Sequence, residues 1–319
     1  MKIVVIGGTG HIGTYLVPRL VRAGYDVSCV SRQLSKPYKT APEWNAVAQF
    51  SIDRDQAEQD GTFGEQIKEL GGEVVIDLIS FTPRSTSMLV DALLGKVQHF
   101  VHCGTMWVHG HSELVPTLEK QKRKPICAYG TNKAKIESYL LSINSQKGFP
   151  ATILHPGHIT GPGWLPINPA GHLASEVFIK LAAGEEVLLP NFGMETLHHV
   201  HADDVAQAFQ KALENRETSI GESFHVLSEQ ALTLRGFAEA VANWYGREAK
   251  LKFLPWVEWE KTVSKMDAQL TADHLLHSPN GSIEKARKLL NYQPAYSSLA
   301  AVREAVNDYF GSTAISTEI

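Results

Sequence analysis

The chain is poor in cysteine, carries little excess charge and lacks any long hydrophobic run. Three cysteines occur among 319 residues. Because they cannot all pair and show no metal-ligand spacing, a reducing cytoplasm is the expected location. The formal net charge of −4 provides no global positive field that would attract nucleic acid or an anionic membrane. No stretch approaches the roughly 20 apolar residues of a membrane span. We therefore expect a globular protein that does not associate with membranes.

Apolar residues alternate between strand and helix spacing along the first half of the chain. Residues 3–6 form a continuous β-branched run, which is typical of a parallel strand buried on both faces. Further strands are predicted at 26–30, 46–52, 74–79, 99–103 and 151–155, and helices at 63–70, 85–94 and 129–143. This order predicts an α/β fold with a doubly wound parallel sheet that binds ligands at the carboxyl ends of its strands.

The alternation breaks after His155, where prolines and glycines crowd into one loop-rich stretch. We predict a dinucleotide-binding domain at residues 1–163, to which part of 197–228 returns, and a smaller C-terminal substrate-binding lobe that takes most of 164–319. Helices are predicted in this half at 173–183, 203–215, 233–244 and 283–290.

A glycine loop directly follows the first predicted strand and opens a helix. Its sequence fits the dinucleotide-binding fingerprint, in which glycine lets the backbone approach a pyrophosphate at the helix N-terminus. An ordinary strand-to-helix turn is the alternative. The residues expected to bind the cofactor here are Gly7, Thr9, Gly10, His11, Ile12 and Gly13.

The second predicted strand ends in Ser31 and Arg32, with Lys36 beyond. Cofactors without a 2′-phosphate usually meet a carboxylate at this place, which would repel a phosphate, whereas a guanidinium binds one bidentately. We therefore predict that Ser31 and Arg32 bind the cofactor and that NADP is favoured over NAD. The alternative is that Arg32 is a solvated loop residue that stacks on adenine whichever cofactor binds.

Tyr129 and Lys133 are four residues apart on a predicted helix, one turn from each other. A tyrosine hydroxyl has an ordinary pKa of about 10, and a nearby ammonium lowers that pKa. Such a tyrosine exchanges a proton with an alcohol or a carbonyl beside a hydride carrier. The pair therefore indicates redox chemistry when it is taken together with the glycine loop.

The motifs together resemble the extended short-chain dehydrogenase/reductase family, in its NAD-dependent epimerase/dehydratase group. The resemblance covers nearly the whole chain: residues 7–13, 100–110, 129–133, 155–158, 200–206 and 283–290. It implies a homodimer, because predicted helices 85–94 and 129–143 are similar to those of the family's dimer bundle.

The resemblance also implies roles for individual residues. Thr105 matches the residue that hydrogen-bonds the reacting oxygen, and Tyr129 matches the general acid/base. Lys133 matches the lysine that holds the nicotinamide ribose and lowers the tyrosine pKa. Asp53 matches a residue that bonds the adenine amine, and Pro156 lies in a turn at the cofactor. A turn cap is the structural alternative for Thr105, and a helix N-cap is the alternative for Asp53.

The chain departs from the family where nucleotide sugars bind. His158 replaces an asparagine that faces the substrate, and Leu197 stands where an arginine clamps the pyrophosphate. His198 or His199 is a possible partial replacement for that clamp. The residues predicted to contact substrate are Trp107, His158, Trp164 and His199.

The predicted function is NAD(P)-dependent hydride transfer at a secondary hydroxyl or ketone of a sugar, nucleotide sugar or sugar-like substrate, by an epimerase, dehydratase or reductase. One alternative is an NADPH-dependent carbonyl reductase of a non-nucleotide substrate. A second is a non-catalytic cofactor-sensing or RNA-binding family member, although these commonly lose the tyrosine or lysine that this chain keeps.

Two further motifs carry weaker signals. The basic run at residues 120–124 is short and lacks interleaved aromatic residues, so a solvated loop is favoured over a nucleic-acid site. The close-set histidines at 155–158 and 198–201 invite a metal interpretation. We expect no metal there, because no cysteine or carboxylate completes a tetrahedral set and the Pro156-Gly157 turn separates the first pair.

Overall fold

The computed structural model describes residues 1–32 and 36–311, so the last residues of the predicted C-terminal lobe lie outside it. The strands are β1 (Lys2–Ile6), β2 (Asp26–Ser31), β3 (Ala48–Ser51), β4 (Val74–Asp77), β5 (His99–Cys103), β6 (Ala151–Pro156), β7 (His158–Thr160), β8 (Glu186–Pro190), β9 (Thr196–Leu197), β10 (His199–His201), β11 (Ser223–Val226), β12 (Leu232–Thr233) and β13 (Lys250–Leu254). The helices are α1 (His11–Arg22), α2 (Arg54–Gln59), α3 (Phe63–Glu69), α4 (Pro83–Leu93), α5 (Ala128–Lys147), α6 (Glu176–Ala183), α7 (Ala202–Glu214), α8 (Arg216–Ser219), α9 (Leu234–Trp244), α10 (Trp256–Trp259), α11 (Lys265–His277), α12 (Glu284–Leu290) and α13 (Ser298–Phe310).

Seven strands form one parallel sheet in the order β11-β6-β5-β4-β1-β2-β3. The chain runs outward from β1 in one direction through β2 and β3, and in the other through β4, β5 and β6. Ligands of such sheets bind in the crevice at the carboxyl ends, where the strand order reverses. The prediction of a doubly wound parallel α/β sheet is confirmed.

The central strand β1 is buried on both faces, which explains its unbroken β-branched sequence. Ile3 and Val5 face one hydrophobic cluster, which includes residues of α1 and α7. Val4 and Ile6 face the other cluster, which includes residues of α4 and α5. Because side chains alternate along a strand, a strand between two helical layers needs an apolar residue at every position.

A third hydrophobic cluster lies in the C-terminal half, where α6 and α9 pack with strand β8. Strand β13 pairs with β8 in a separate two-stranded sheet, whereas β11 returns to the main sheet beside β6. The sequence did not predict α11, because its buried residues are Thr271, His274 and His277 and show no apolar period. Within residues 1–32 and 36–311, no helix is long and apolar enough to cross a membrane.

Candidate functional site

Two cavities open near the carboxyl edge of the sheet. The large cavity, of about 670 Å³, falls within the usual size of a small-molecule site. The predicted residues that line it are His11, Ile12, Thr105, Trp107, Tyr129, Lys133, Pro156, His158 and Trp164. The small cavity has about 320 Å³, and its lining includes Gly7, Thr9, Gly10, Ser31 and Arg32. Phe81 lines both cavities, so they adjoin at that side chain.

The glycine loop between β1 and α1 has the geometry of an anion cradle. A Cβ atom at Gly13 would lie 2.1 Å from the carbonyl oxygen of Gly8, so only glycine lets the helix start this close to the strand. Gly10 caps α1 and provides no side-chain acceptor, so the first-turn N–H groups are left for an outside partner. Together with the two adjoining cavities, the loop fits a dinucleotide whose pyrophosphate lies at this helix end.

Thr105 and Tyr129 meet in the large cavity because two turns pack closely. A Cβ atom at Gly130 would lie 2.7 Å from the carbonyl oxygen of Trp107, so this glycine lets α5 approach the 3₁₀ turn Met106–His109. The Thr105 hydroxyl caps that turn by accepting the Trp107 N–H at 3.3 Å. It also hydrogen-bonds the Tyr129 phenol. Thr105 is therefore both a turn cap and a neighbour of the candidate acid/base.

Lys133 is almost fully buried below Tyr129. Its ammonium donates hydrogen bonds to the backbone carbonyls of Ser80 at 2.7 Å and Cys103 at 2.6 Å. It lies 5.9 Å from the centre of the Tyr129 ring. Burial lowers the pKa of Lys133 from its ordinary value. An ammonium has three N–H donors, so one remains for a further partner in the cavity.

The predicted lowering of the tyrosine pKa by Lys133 stays a prediction, because Lys133 is not among the groups that shift the pKa of Tyr129 here. Desolvation raises the pKa of Tyr129 above its ordinary value, while the hydrogen bond from Thr105 opposes that rise. Lys133 directs its charge to backbone carbonyls instead. In the structure as it stands, the phenol is therefore in the protonated form at neutral pH.

Aromatic side chains form part of the wall of the large cavity. Trp164 stacks on His11, and Trp107 stacks on His277 with ring centres 4.2 Å apart. Trp107 also meets Tyr129 edge-on, with ring centres 6.1 Å apart. The structure therefore places both tryptophans beside the candidate acid/base or the candidate cofactor loop.

The structure places His199, a predicted substrate contact, outside the lining of the large cavity. His199 is fully buried outside the cavity lining, and its ring packs against His158 and Phe237. His198 does line the cavity, but it accepts the Gly281 N–H at Nδ1 and lies 3.0 Å from the Ser228 carbonyl at Nε2. Burial also lowers the pKa of His198 to about 4. The structure therefore provides no charged imidazole that replaces the missing phosphate clamp.

The large cavity is almost uncharged. Burial lowers the pKa of His11 to about 4 and that of His158 well below its ordinary value, so both rings are neutral near pH 7. Within the described residues, its lining contains no arginine and no carboxylate, and Lys133 is its single lysine. Leu197 lies in the lining, at the position where the family resemblance would place an arginine.

The predicted adenine contact at Asp53 has a local structural role. Asp53 caps α2 by accepting the Gln56 N–H at 3.1 Å. Its neighbours Arg54 and Asp55 line the small cavity instead. The Arg54 guanidinium is engaged with the buried carboxylate of Asp77, whereas Arg32 is exposed beside the same cavity.

Sequence reasoning missed the wall that α11 contributes, which includes Leu270 and His274. The available signal was Ser264 followed by Asp267, a capping pattern in which the serine hydroxyl accepts the Asp267 N–H. It also missed a histidine cluster. His155 lies beside His109 and His225, neither of which belonged to the close-set groups considered for a metal.

The sequence profile of the NAD dependent epimerase/dehydratase family matches residues 3–226. The chain is 27% identical over 317 residues to the chloroplast stem-loop binding protein of 41 kDa b of Arabidopsis thaliana, covering 97% of this chain and 79% of that protein. It is 24% identical over 332 residues to the UDP-glucose 4-epimerase of Rhizobium meliloti (strain 1021), covering 95% of each. The structure of UDP-glucuronic acid 4-epimerase from Bacillus cereus with UDP-glucuronic acid and NAD shares the fold, with a TM-score of 0.73, 19% identity and coverage of 97% and 98%. Because the profile covers most of the chain, the protein belongs to the NAD dependent epimerase/dehydratase family.

Proposed function

We propose that this protein is an NAD(P)-dependent oxidoreductase that interconverts a secondary hydroxyl and a ketone on a sugar or sugar-like substrate. The observation that carries the proposal is the meeting of Tyr129 and Thr105 in a cavity beside the glycine loop. When bound, the nicotinamide cofactor accepts or returns the hydride. The protein's own residues then hold the substrate oxygen and move its proton.

Tyr129 is the proton donor in the reductive direction. Desolvation keeps its phenol protonated at neutral pH, which is the form that gives a proton to a ketone oxygen as the carbon is reduced. Thr105 holds that oxygen by a hydrogen bond. In the oxidative direction Tyr129 takes the hydroxyl proton, and this step needs a nearby positive charge to lower the phenol pKa.

Lys133 positions the cofactor in this proposal. Two of its N–H groups are fixed by the carbonyls of Ser80 and Cys103, and the third is left for a ribose hydroxyl. Pro156 and the loop residues His11 and Ile12 line the same cavity, and they would form the other contacts with the cofactor.

The cavity favours an uncharged substrate over a nucleotide sugar. A bidentate arginine–phosphate contact contributes about 1.5–3 kcal/mol, and Leu197 cannot make one. Trp107 and Trp164 offer apolar faces, and His158 offers a neutral ring. We therefore favour reduction of a ketone on a compound without a pyrophosphate, with epimerisation of a nucleotide sugar as the family alternative.

NADP is the proposed cofactor. Arg32 is exposed at the end of β2 beside the small cavity, where a 2′-phosphate would lie. The small cavity has one carboxylate in its lining, Asp55, and this residue follows β3 rather than β2. A guanidinium at this position supports recognition of the phosphorylated ribose.

The test is a turnover assay with NADPH or NADH against a panel of uncharged ketoses, keto-sugars and uridine-diphosphate sugars. We expect NADPH oxidation with an uncharged ketone. Tyr129→Phe should lower kcat/KM by ~10²–10⁴-fold with little change in NADPH affinity, because it removes proton transfer alone. Tyr139→Phe, on the same helix and half-buried, is the matched control. Interconversion of a nucleotide sugar without net cofactor oxidation would instead identify an epimerase.

A second candidate function is RNA stem-loop binding, which the name of the Arabidopsis thaliana relative favours. The basic run offers little support, because Arg123 is paired with Glu137 and Lys124 with Glu113. Binding that depends on phosphate contacts alone weakens steeply with added salt. Retention of a stem-loop RNA at moderate salt by protein that turns over no panel compound would favour this candidate.

We also propose that the protein is a homodimer located in the cytoplasm. Helices α4 and α5 adjoin, and Met88, Tyr139 and Leu141 on them are half-buried apolar side chains. The free thiols of Cys29, Cys103 and Cys127 suit a reducing compartment. Sedimentation equilibrium tests the dimer, and fractionation of source cells tests the location.

A further inference from the structure

Three buried histidines from separate elements converge behind the turn that carries Thr105. His109 ends the 3₁₀ turn Met106–His109, His155 lies on β6 and His225 lies on β11. One ligand atom from each ring lies within 4.8 Å of the other two. The cluster is outside the lining of the large cavity and takes no part in the proposed hydride transfer.

The hydrogen bonds of the cluster leave ring nitrogens without partners. His225 lies 3.2 Å from the Ser282 carbonyl through Nδ1, and donation there makes its Nε2 a lone-pair acceptor. That Nε2 lies 2.9 Å from Nε2 of His109. His155 is fully buried, and neither of its ring nitrogens has a hydrogen-bond partner. A buried imidazole with two unpaired nitrogens is rare in proteins unless a water or an ion meets it.

A carboxylate and a backbone carbonyl lie beside the rings of the cluster. The Glu137 carboxylate lies 3.5 Å from Nε2 of His155 and is itself held by Arg123. The Nδ1 contact of His225 with a carbonyl is the usual outer contact of a metal-ligating histidine.

We propose that His109, His155 and His225 bind a divalent cation of the zinc class, with water as the fourth ligand. Three neutral imidazoles suit zinc, cobalt and nickel, and a tetrahedral site with bonds of about 2.0–2.1 Å separates its nitrogens by about 3.3 Å. The His109 and His225 nitrogens reach that spacing by moving apart a few tenths of an ångström. The cation would tie β6 and β11 to the turn that carries Thr105.

An outer pocket provides access for the ion. This pocket, of about 180 Å³, is lined by His109, His111 and Glu113 among others. Because His109 belongs to both this pocket and the cluster, we expect a metal to enter here rather than through the large cavity. In this arrangement, the protein can bind a metal at the cluster and a substrate in the large cavity independently of each other.

Metal content of tag-free protein tests the proposal, since a polyhistidine tag binds the same ions. Protein stripped with a chelator and dialysed against zinc should retain it stoichiometrically and unfold at a higher temperature than stripped protein. Co²⁺ in place of zinc should give the intense visible absorption of a tetrahedral site. His155→Gln and His225→Gln should each lower zinc retention by at least ~10-fold.

His99→Gln is the matched control, because His99 is also fully buried in the sheet but bonds the Thr152 hydroxyl and lies outside the cluster. It should retain zinc as the wild-type protein does. The cobalt spectrum of wild-type protein decides the matter independently of any variant that fails to fold. Featureless cobalt spectra, or equal zinc retention by wild-type and His225→Gln proteins, would overturn the proposal.

Discussion

Arg32 stands at the end of β2 with its side chain exposed beside the small cavity. Its neighbour across that cavity, Arg54, is already committed to Asp77 and Glu58. Arg54 therefore cannot take over recognition of a 2′-phosphate without breaking a buried ion pair. At the scale of single residues, the proposed preference for NADP therefore depends on Arg32.

Arg32→Gln should weaken NADP binding by ~10–100-fold, because a charged hydrogen bond contributes about 1.5–3 kcal/mol. Affinity for NAD should change much less. Both dissociation constants are measurable by isothermal titration. Arg22→Gln, which alters an exposed arginine on α1, is the matched control. Equal weakening of both cofactors by Arg32→Gln would support adenine stacking instead.

Helix α11 forms a wall of the large cavity although its buried residues, Thr271, His274 and His277, are polar. Ser264 starts the helix by accepting the Asp267 N–H at 3.1 Å, and Leu270 and His274 then reach the cavity. At the scale of elements, a helix cap therefore helps to fix the position of this wall.

Ser264→Ala should lower the free energy of unfolding by about 1 kcal/mol and raise KM, because loss of the cap frays the cavity wall. Ser297→Ala is the matched control: Ser297 caps α13 in the same way, and α13 does not line the cavity. Chemical denaturation and steady-state kinetics check the two effects. Similar changes in KM for both variants would contradict the role of α11.

Asp204 ties α7 to the segment before α13. Its carboxylate accepts the N–H groups of Ala295 at 2.7 Å and Tyr296 at 3.1 Å. Burial raises the pKa of Asp204 to about 6, and the two N–H donors oppose that rise. Because the folded state favours the protonated acid, the stability that Asp204 contributes is present below about pH 4 and is lost as pH rises through 6.

We therefore compare the free energy of unfolding of Asp204→Asn with that of wild type at two pH values. The difference should shift in favour of the variant by about 2–3 kcal/mol as the pH rises from about 4 to about 7. Urea denaturation at both pH values measures this difference. Asp26→Asn, at an exposed position at the start of β2, is the matched control. A difference between Asp204→Asn and wild type that is independent of pH would contradict the assignment.

At the scale of the whole molecule, the two cavities adjoin at Phe81 across the carboxyl edge of the sheet. In the proposed mode of cofactor binding, a dinucleotide would fill both cavities, whereas a mononucleotide would fill one. Ligands that bind only the folded state stabilise it by mass action, by about 2.7 kcal/mol at a concentration 100 times Kd.

Saturating NADPH should therefore raise the unfolding temperature by several degrees, and NADH at the same concentration should raise it less. Nicotinamide mononucleotide and adenosine monophosphate, tested singly, should each give a smaller shift. Differential scanning fluorimetry gives all four values. Equal shifts for NADPH and for either fragment would contradict a site that spans both cavities.

The parallel sheet, the glycine loop and the pair of Tyr129 and Lys133 were predictable from short-range sequence patterns: a β-branched run buried on both faces, glycines that follow it at once, and two residues one helical turn apart. Thr105 was assigned by the family resemblance instead. In a regular strand or helix, the spacing of residues along the chain fixes which of them share a face. These predictions therefore needed no knowledge of distant residues.

Tertiary structure alone decided the remaining features, because they depend on burial and on residues far apart in the chain. It placed His199 behind the cavity instead of in it, and it raised the Tyr129 pKa through desolvation that no spacing reveals. It also brought His109, His155 and His225 together from three elements. The sequence therefore determined the fold and the candidate acid/base pair, whereas packing decided the charge of the cavity and what lies behind it.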